Sequence, residues 1–416
     1  MSRRTGITAL LPALLCLLLA ACSGPELPLG HAAEAGGPPI VFGATISITG
    51  PLAKEGEYTR DGYLFAIDTI NRAGGIQVGD KHYRVALQYY DDQSQPDLVP
   101  PLYQKLLTDD HVSFLLGPYT SALTAAAAPV AEAARMPMVD AHGSAESIFT
   151  ASTRYNFGIV SPARNYLRGV IAVVHAKDPT ARTVALLGAD EPFSHEVVTG
   201  AAEYARSLDL TVVYSAFYPT NPADITSLLR AVKAHQPDIL LAAGHLQDSL
   251  LIARQAQELG LTPKALGFTA GPSTPEFRAN LQAGADYIFG ATQWTSALQY
   301  HGDDPWSTPG SYAQAFRAGH PNYPEVPYQT AESSAALIVF QRAIETAGSL
   351  DPERVRTALA GLDLMTFYGR IKFDARGVNI YKPMAVEQLQ PDGHKYTVFP
   401  NDAAEKDALY PMPARR

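Results

Sequence analysis

Two short loops carry residue types that suit the binding of a small carboxylate or amide. Gly117 to Ser121 offers backbone N–H groups and two hydroxyls at the start of an alanine-rich segment, and Asp140 to Ser144 offers backbone N–H groups and the Ser144 hydroxyl before Ala145. The amino end of a helix has unpaired N–H groups and a partial positive charge, which stabilises a carboxylate by roughly 0.3–1 kcal/mol when exposed. Serine is also a favoured helix N-cap without any ligand, and the two roles are compatible.

Catalytic chemistry has little support in the same residues. Asp140, His142 and Ser144 lie too close in sequence for a catalytic triad, which distant segments normally assemble. The chain has no GxSxG, P-loop, GxGxxG or HExxH motif, and His195-Glu196 lacks the second histidine that a zinc motif needs. The eleven histidines are scattered. We therefore predict a protein that is not an enzyme, with no catalytic residue, metal or cofactor.

The elements that must position these loops follow a regular alternation of strands and helices. Short apolar runs predict strands at 40–48, 85–90, 112–116, 137–141, 183–187, 211–217, 238–243, 265–268 and 287–291. Segments with helical spacing predict helices at 59–73, 121–134, 194–207, 222–235, 247–259, 327–347 and 351–359. Apolar strands that alternate with helices indicate parallel sheets covered on both faces. The alternation restarts near residue 160, which predicts two similar α/β lobes, and 369–373 and 382–390 predict antiparallel strands.

The length and charge of the chain limit the classes of partner. It has 416 residues, 41 acidic against 32 basic, and a formal net charge of −9. This balance argues against nucleic acid or an anionic membrane surface as a partner. A chain of this length predicts two or three domains.

The N-terminal segment predicts export and a lipid anchor. An arginine pair precedes an apolar run of 15 residues, Ile7 to Ala21, which is shorter than the roughly 20 that span a bilayer. Leu-Ala-Ala-Cys at 19–22 resembles a lipoprotein signal, so we expect residues 1–21 to be a signal peptide and Cys22 to carry the lipid. Residues 22–39, rich in Gly, Pro and Ala, predict a flexible tether. An ordinary secretory peptide is the alternative; the lipid-anchored form places the protein on the periplasmic side, held to the cell membrane or the outer membrane.

Five stretches resemble type I periplasmic binding proteins. The resemblance is strongest to the branched-chain amino acid/amide branch, which serves ABC importers. They are Gly43–Pro51 (GATISITGP), Gly62–Ile76 (GYLFAIDTINRAGGI), Tyr90–Asp92, Gly117–Ser121 (GPYTS) and Phe373–Gly377 (FDARG). Their order and spacing are more specific than any single stretch, and the resemblance covers about residues 40–400.

The resemblance implies two Rossmann-like lobes with parallel sheets, joined by a hinge of three crossovers and closing on a ligand. Carried onto this chain, the first lobe comprises residues 38–160 plus 290–370. The second comprises 161–289 plus 371–416. The expected partners are a small-molecule ligand and the permease subunits of an ABC transporter, with the protein acting as a monomer. A ligand-sensing protein of the same fold, reporting to a separate membrane receptor, is the alternative.

The resemblance also implies a set of ligand-binding residues. Residues that match Ser121 and Ser144 hold the carboxylate or amide end of the ligand in the family, and Phe193 matches an aromatic that packs on it. The full expected set is Tyr119, Thr120, Ser121, His142, Gly143, Ser144, Phe193, Gly244, His245 and Thr269.

Two departures from the leucine-type pattern bear on the ligand. Leucine-type binders place a glutamate near the position of Thr269 and a tyrosine near Gly244, and this chain has neither. Because a buried ammonium without an anion is costly, we predict that the ligand is not a simple α-amino acid. Room near Gly244, together with cleft aromatics (Tyr119, Phe193, Trp294, Tyr328), favours an aromatic or other apolar carboxylate, with urea or a short-chain amide as alternatives.

Overall fold

Residues 37–414, described by a computed structural model, alternate between strands and helices along the chain. The strands are β1 (Ile40–Ile46), β2 (Ile76–Val78), β3 (Lys81–Tyr83), β4 (Val85–Asp91), β5 (Phe114–Leu116), β6 (Met138–Asp140), β7 (Asn156–Gly158), β8 (Thr183–Ala189), β9 (Thr211–Tyr218), β10 (Ile239–Ala243), β11 (Ala265–Phe268), β12 (Phe289–Thr292), β13 (Asp363–Thr366), β14 (Gly369–Lys372), β15 (Ala385–Leu389) and β16 (Lys395–Phe399). The helices are α1 (Ala53–Arg72), α2 (Val99–Thr108), α3 (Ser121–Ala134), α4 (Arg168–Lys177), α5 (Pro192–Ser207), α6 (Thr226–His235), α7 (Leu246–Glu258), α8 (Pro275–Leu281), α9 (Pro309–Gly319), α10 (Tyr328–Ala347) and α11 (Pro352–Ala360).

Two sheets define two lobes. The first has five strands in the order β4-β1-β5-β6-β7, all parallel. The second has seven in the order β16-β15-β12-β11-β10-β8-β9, parallel from β12 to β9. Strand β15 pairs antiparallel with both β12 and β16, and β13 pairs antiparallel with β14. The predicted fold class, two α/β lobes with parallel sheets and an antiparallel tail, is confirmed.

The core of the first lobe depends on close packing of α10 along α1. A Cβ at Gly62 would lie 2.4 Å from the carbonyl oxygen of Thr330, so only glycine allows this approach. The hydroxyl of Ser334 donates to the carbonyl of Gly62 at 2.7 Å, which satisfies a polar group in the tightly packed helix pair. Helix α10 is thereby fixed at the position from which its first turns reach the cleft.

Three crossovers connect the lobes. The first passes Ser161 and the second passes Gln293; the Gln293 amide accepts from the Ser161 N–H at 3.0 Å and donates to the Ser161 carbonyl at 3.1 Å. The third follows Val378, which forms a parallel bridge with Gly158 at the edge of the first sheet. A buried amide therefore ties two of the crossovers together.

These pairings move two of the expected lobe boundaries by several residues. Residues 290–292 belong to β12 and hence to the second lobe, because β12 pairs with β11 and β15. Residues 371–380 lie with the first lobe, since β14 and the bridge at Val378 both belong there.

The N-terminal predictions lie largely outside the described residues. The signal peptide at 1–21, the lipid-bearing Cys22 and nearly all of the tether at 22–39 precede residue 37. Across 37–414, no helix combines the length and the apolar character that a bilayer crossing requires.

Candidate functional site

A small cavity lies between the two lobes, at the carboxyl ends of strands from both sheets. The first lobe contributes Tyr119, Thr120, Ser121, His142, Ser144, Tyr328 and Glu332, and the segment 161–292 contributes Tyr166, Phe193, His245 and Ala270. Its volume of about 20 Å³ leaves room for about one water molecule. A larger space of about 450 Å³, also lined by both lobes, shares Thr120 and His245 with it.

Contacts on several sides of the cavity hold the lobes together. The hydroxyl of Tyr58 donates to Glu276, which also pairs with Lys54 at 3.2 Å. On another side, the Glu196 carboxylate accepts from the N–H groups of Glu146 at 2.6 Å and Ser147 at 2.9 Å. Each of these contacts joins one lobe to the other.

The amino end of α3 is open toward the cavity. Thr120 precedes the helix and makes no side-chain cap, so the first-turn N–H groups receive no capping side chain from it. The hydroxyl of Ser121 instead accepts from the N–H groups of Ser144 at 3.1 Å and Ala145 at 3.1 Å. Ser121 thus binds the two predicted loops to each other and leaves its own proton free to point at a ligand.

The other two helix ends at the cleft are already occupied. The Glu191 carboxylate caps α5 through the N–H groups of Phe193 at 3.2 Å and Ser194 at 2.9 Å. At α7, the N–H of Leu246 donates to Glu55 from the opposite lobe at 3.3 Å. Of these three helix ends, that of α3 remains available to an anion or a carbonyl oxygen, and the amino end of α10, where Pro327 precedes Tyr328, also has no side-chain cap.

Glu332 forms the polar floor of the cavity together with His142. The Oε1 atom of Glu332 lies 2.7 Å from Nδ1 of His142, and its Oε2 accepts from the Tyr368 hydroxyl at 3.3 Å. Nε2 of His142 lies 3.1 Å from the hydroxyl of Ser333, which donates its proton to the Gln329 carbonyl at 2.7 Å. Because the Ser333 proton is used in this way, its oxygen accepts from Nε2–H of His142. In a neutral imidazole Nδ1 then carries no proton, so the Glu332 carboxyl must be protonated to donate to it.

Burial favours the uncharged forms of both partners. It lowers the pKa of His142 to about 3 and raises the pKa of Glu332 well above its usual range, although the Tyr368 hydroxyl and Lys382 oppose the latter. Burial likewise raises the pKa of Asp140 to about 7, against the N–H groups of Gly143 and His142 that stabilise its carboxylate. A neutral floor offers hydrogen bonds rather than a fixed charge.

Aromatic rings form the walls. Phe193 meets Tyr166 edge-on at 5.0 Å and stacks on His245 at 5.8 Å. Tyr119 approaches His245 across the cleft, with its hydroxyl 3.5 Å from Nδ1. Rings in this arrangement suit a flat or apolar ligand body, with hydroxyls at its edges.

Comparison with known proteins fits this geometry. The family model described as periplasmic binding protein matches residues 39–395. This chain belongs to the periplasmic binding protein family.

Individual relatives of this periplasmic binding protein share less than a third of its residues. The Leu/Ile/Val-binding protein homolog 8 of Brucella abortus is 27% identical, with 88% of this chain and 91% of the relative covered. A leucine-binding protein, LivK, from Thermotoga maritima has a similar fold, with a TM-score of 0.74 at 19% identity over 86% of this chain and 97% of that one. A solute-binding protein from R. palustris, solved with benzoate, also has a TM-score of 0.74, at 18% identity over 86% of this chain and 95% of that one.

The cavity of this periplasmic binding protein contains seven of the ten residues that the sequence suggested, and not the other three. Gly143 lies behind it, where its N–H donates to Asp140 at 2.8 Å. Thr269 is buried, and its hydroxyl accepts from the N–H of Gly244 at 3.0 Å and lies 2.7 Å from the Gly244 carbonyl oxygen. Thr269 and Gly244 therefore fasten two strand ends together outside the cavity lining.

Two further expectations about the cleft were wrong. The space expected at Gly244 is filled, because a Cβ there would lie 2.6 Å from the Tyr218 hydroxyl and 2.9 Å from Asp248. Trp294 lies in the core of the first lobe, where its indole N–H donates to the Phe367 carbonyl at 3.1 Å. The Asp140, His142 and Ser144 side chains form no relay, since His142 turns to Glu332 and Asp140 accepts backbone N–H groups.

Glu332, Tyr166 and Ala270 line the cavity without having been expected there. A signal for Glu332 was present, because 329–334 puts several polar residues into an otherwise apolar helix and all of them are buried. The segment around Thr269 contributes no acid to the cavity, as expected. An acid nevertheless reaches the cavity from the first lobe, because Glu332 lies on α10.

Proposed function

We propose that this chain is an extracytoplasmic solute-binding protein that captures a small molecule by lobe closure and delivers it to an ABC permease. The observation that carries the proposal is one cavity lined by both lobes, with the uncapped end of α3 on one side. A ligand that touches both lobes shifts the equilibrium toward the closed form, and a permease can recognise that form.

The lining favours a carboxylate or amide on an aromatic or apolar body. The end of α3 and the hydroxyls of Ser121 and Ser144 suit the polar end of such a ligand, while Phe193 and Tyr166 suit its body. No lysine or arginine lines the cavity within 37–414. A helix end is therefore the main source of positive potential for a carboxylate.

A plain α-amino acid is a poorer match. Its ammonium group needs an ionised carboxylate. Glu332 is the one acid among the described residues that line the small cavity, and His142 and Tyr368 hold it in surroundings that favour the protonated form. The Brucella relative is named for leucine, isoleucine and valine, whereas one protein of the same fold was solved with benzoate. The fold is thus compatible with either ligand class, and the side chains of the cavity decide between them.

A thermal-shift screen of small acids, amides and amino acids tests the proposal. A ligand that binds only the native protein must raise its melting temperature. We expect a rise with at least one aromatic or apolar acid or amide, and a smaller rise in Phe193→Ala than in the wild type. If no member of these classes raises the melting temperature, the proposed ligand class is wrong.

Lipid attachment at Cys22 completes the proposal, with the protein a monomer on the periplasmic side. A tether keeps the binder near its permease while the lobes remain free to move. Cys22→Ala is expected to shift the protein from the detergent-rich phase to the aqueous phase in a phase-partition assay. Equal partitioning of the variant and the wild type would contradict the anchor.

A further inference from the structure

We propose a second binding site, for a compact oxyanion such as a carboxylate or phosphate, on the first lobe outside the cleft. A cavity of about 420 Å³ lies between residues 151–157, the helix α11 and the loop 373–377. This site is independent of the proposed function of the cleft.

Three arginines line the cavity, Arg154, Arg356 and Arg376. Carboxylates already pair with two of them: Asp374 and Glu146 with Arg376, and Glu353 with Arg356. The positive charge that remains available to an anion is therefore that of Arg154.

The three guanidinium groups differ in how far they are already satisfied. Arg376 forks onto Asp374, at 2.9 Å from Nε and 2.8 Å from Nη2. Arg356 donates from Nε to Glu353 at 2.7 Å and from Nη2 to Thr357 at 2.9 Å. Arg154 is exposed, and its guanidinium has no hydrogen-bond or ion-pair partner among residues 37–414, where only its backbone N–H is bonded. Arg154 therefore presents a complete donor fork, the geometry that matches carboxylate and phosphate oxygens.

A buried amide with no partner lines the same cavity. Asn156 is 0% exposed, and within the described chain neither its Oδ1 nor its Nδ2 has a hydrogen-bond partner. An unsatisfied buried polar group costs about 1–3 kcal/mol, and so such groups are rare without a reason. Because neither amide atom is accessible to solvent, the Asn156 side chain must rotate toward the cavity for Nδ2 to donate to an oxyanion held by Arg154.

The second cavity is separate from the cleft. Asn156 pairs with Met138 at the amino end of β6, whereas the ligand loop follows Asp140 at its carboxyl end. The two cavities share no lining residue. An anion bound here would leave the cleft ligand in place, so failure of this site does not bear on the cleft.

Calorimetric titration of the folded protein with inorganic phosphate and with malonate, in a buffer of low chloride, tests the site. We expect saturable 1:1 binding of at least one of them, weakened by about tenfold or more in the Arg154→Gln/Arg356→Gln double variant. Arg206→Gln, an exposed arginine on α5, is the matched control and is expected to bind within about twofold of the wild type.

A second variant examines the amide itself. Asn156→Leu removes the unpartnered group, and we expect it to lose most of the phosphate- or malonate-induced rise in melting temperature that Arg206→Gln retains. The proposal is overturned if neither anion binds below ~10 mM, or if the double variant and Asn156→Leu bind as tightly as the control.

Discussion

The carboxylate of Glu55 in the first lobe accepts a hydrogen bond from the backbone N–H of Leu246 in the second, at 3.3 Å. His245 and Asp248 cap α7 from within the second lobe, and Glu55 adds an acceptor for the Leu246 N–H from across the cleft, which is lost when the lobes separate. The other oxygen of Glu55 is buried without a hydrogen-bond partner in the described part of the chain. Burial raises the pKa of Glu55; the neighbouring His245 lowers it, and the neighbouring Asp248 raises it further. Closing the lobes therefore favours the protonated form of Glu55.

Glu55 predicts a pH dependence of ligand affinity. Because its pKa is raised in the closed form, its contribution to closure is present below the ordinary carboxyl pKa and is lost as the pH rises through the raised value. We expect the affinity of the wild type to fall relative to Glu55→Gln as the pH rises above the ordinary carboxyl pKa, because Glu55→Gln keeps an acceptor and does not titrate. Parallel affinity profiles of the two proteins, measured by calorimetry, would show that Glu55 does not couple closure to pH.

The position of Ser121 predicts that its substitution weakens ligand binding. Its hydroxyl joins the loop at Ser144 and faces the cavity, so Ser121→Ala removes a donor from the polar end of the ligand site. We expect affinity to fall by about tenfold, the equivalent of one hydrogen bond. Ser147→Ala, at an exposed side chain near the same loop, should bind as the wild type does. Equal affinities for the two variants would remove Ser121 from the site.

Glu332 predicts a loss of folding stability at high pH. Its pKa is raised by burial, so its contribution to stability is present below the ordinary carboxyl pKa and is lost as the pH rises through the raised value. Glu332→Gln stays neutral and can still bond to His142 and Tyr368. In urea unfolding we expect the variant to match or exceed the wild type at about pH 9, and Glu332→Leu to be destabilised by about 1–3 kcal/mol at about pH 6. The prediction is contradicted if the wild type exceeds Glu332→Gln in free energy of unfolding by more at about pH 9 than at about pH 6.

Substitution of Lys382, at the third crossover, is expected to stabilise the folded protein. Its ammonium group is buried, has no hydrogen-bond partner in the described chain and lies 4.0 Å from the centre of the Tyr368 ring. Burial lowers the pKa of Lys382 to about 7, although Glu332 opposes this. Its contribution to stability is therefore present above its ordinary pKa and is lost as the pH falls through about 7.

Lys382→Met keeps the length of the side chain and removes the charge. We expect it to raise the melting temperature at about pH 6 and to change it less at about pH 9. Lys177→Met, on an exposed turn of α4, is the control and should leave the melting temperature unchanged at either pH. A lower melting temperature for Lys382→Met at about pH 6 would mean that the buried cation stabilises the fold.

The sequence alone was sufficient for elements with strong local signals. Helix α3 spans residues 121–134 as predicted, because the alanine run favours a helix and Arg135 ends it in a left-handed conformation. Short strands and helices with weak periodicity, such as β7 and α9, were missed. Their position depends on pairing with β6 and on packing against the core rather than on local pattern.

The site was predictable where a loop follows a strand, and not where tertiary packing brings in a distant helix. Ser121 and Ser144 follow strand ends, and the structure joins them by a hydrogen bond. Glu332 enters the cavity only because Gly62 lets α10 lie against α1, a contact between residues about 270 positions apart in sequence. The space at Gly244 was filled by Tyr218 for the same kind of reason, since strand neighbours cannot be read from one segment.

Calorimetric titration with leucine and with benzoate-type acids tests the central claim most directly. The neutral floor at Glu332 and the open end of α3 predict that a benzoate-type acid, or an amide of similar size, binds the wild type and that leucine binds far more weakly. Tight binding of leucine, with no binding of the acids or amides, would contradict the account.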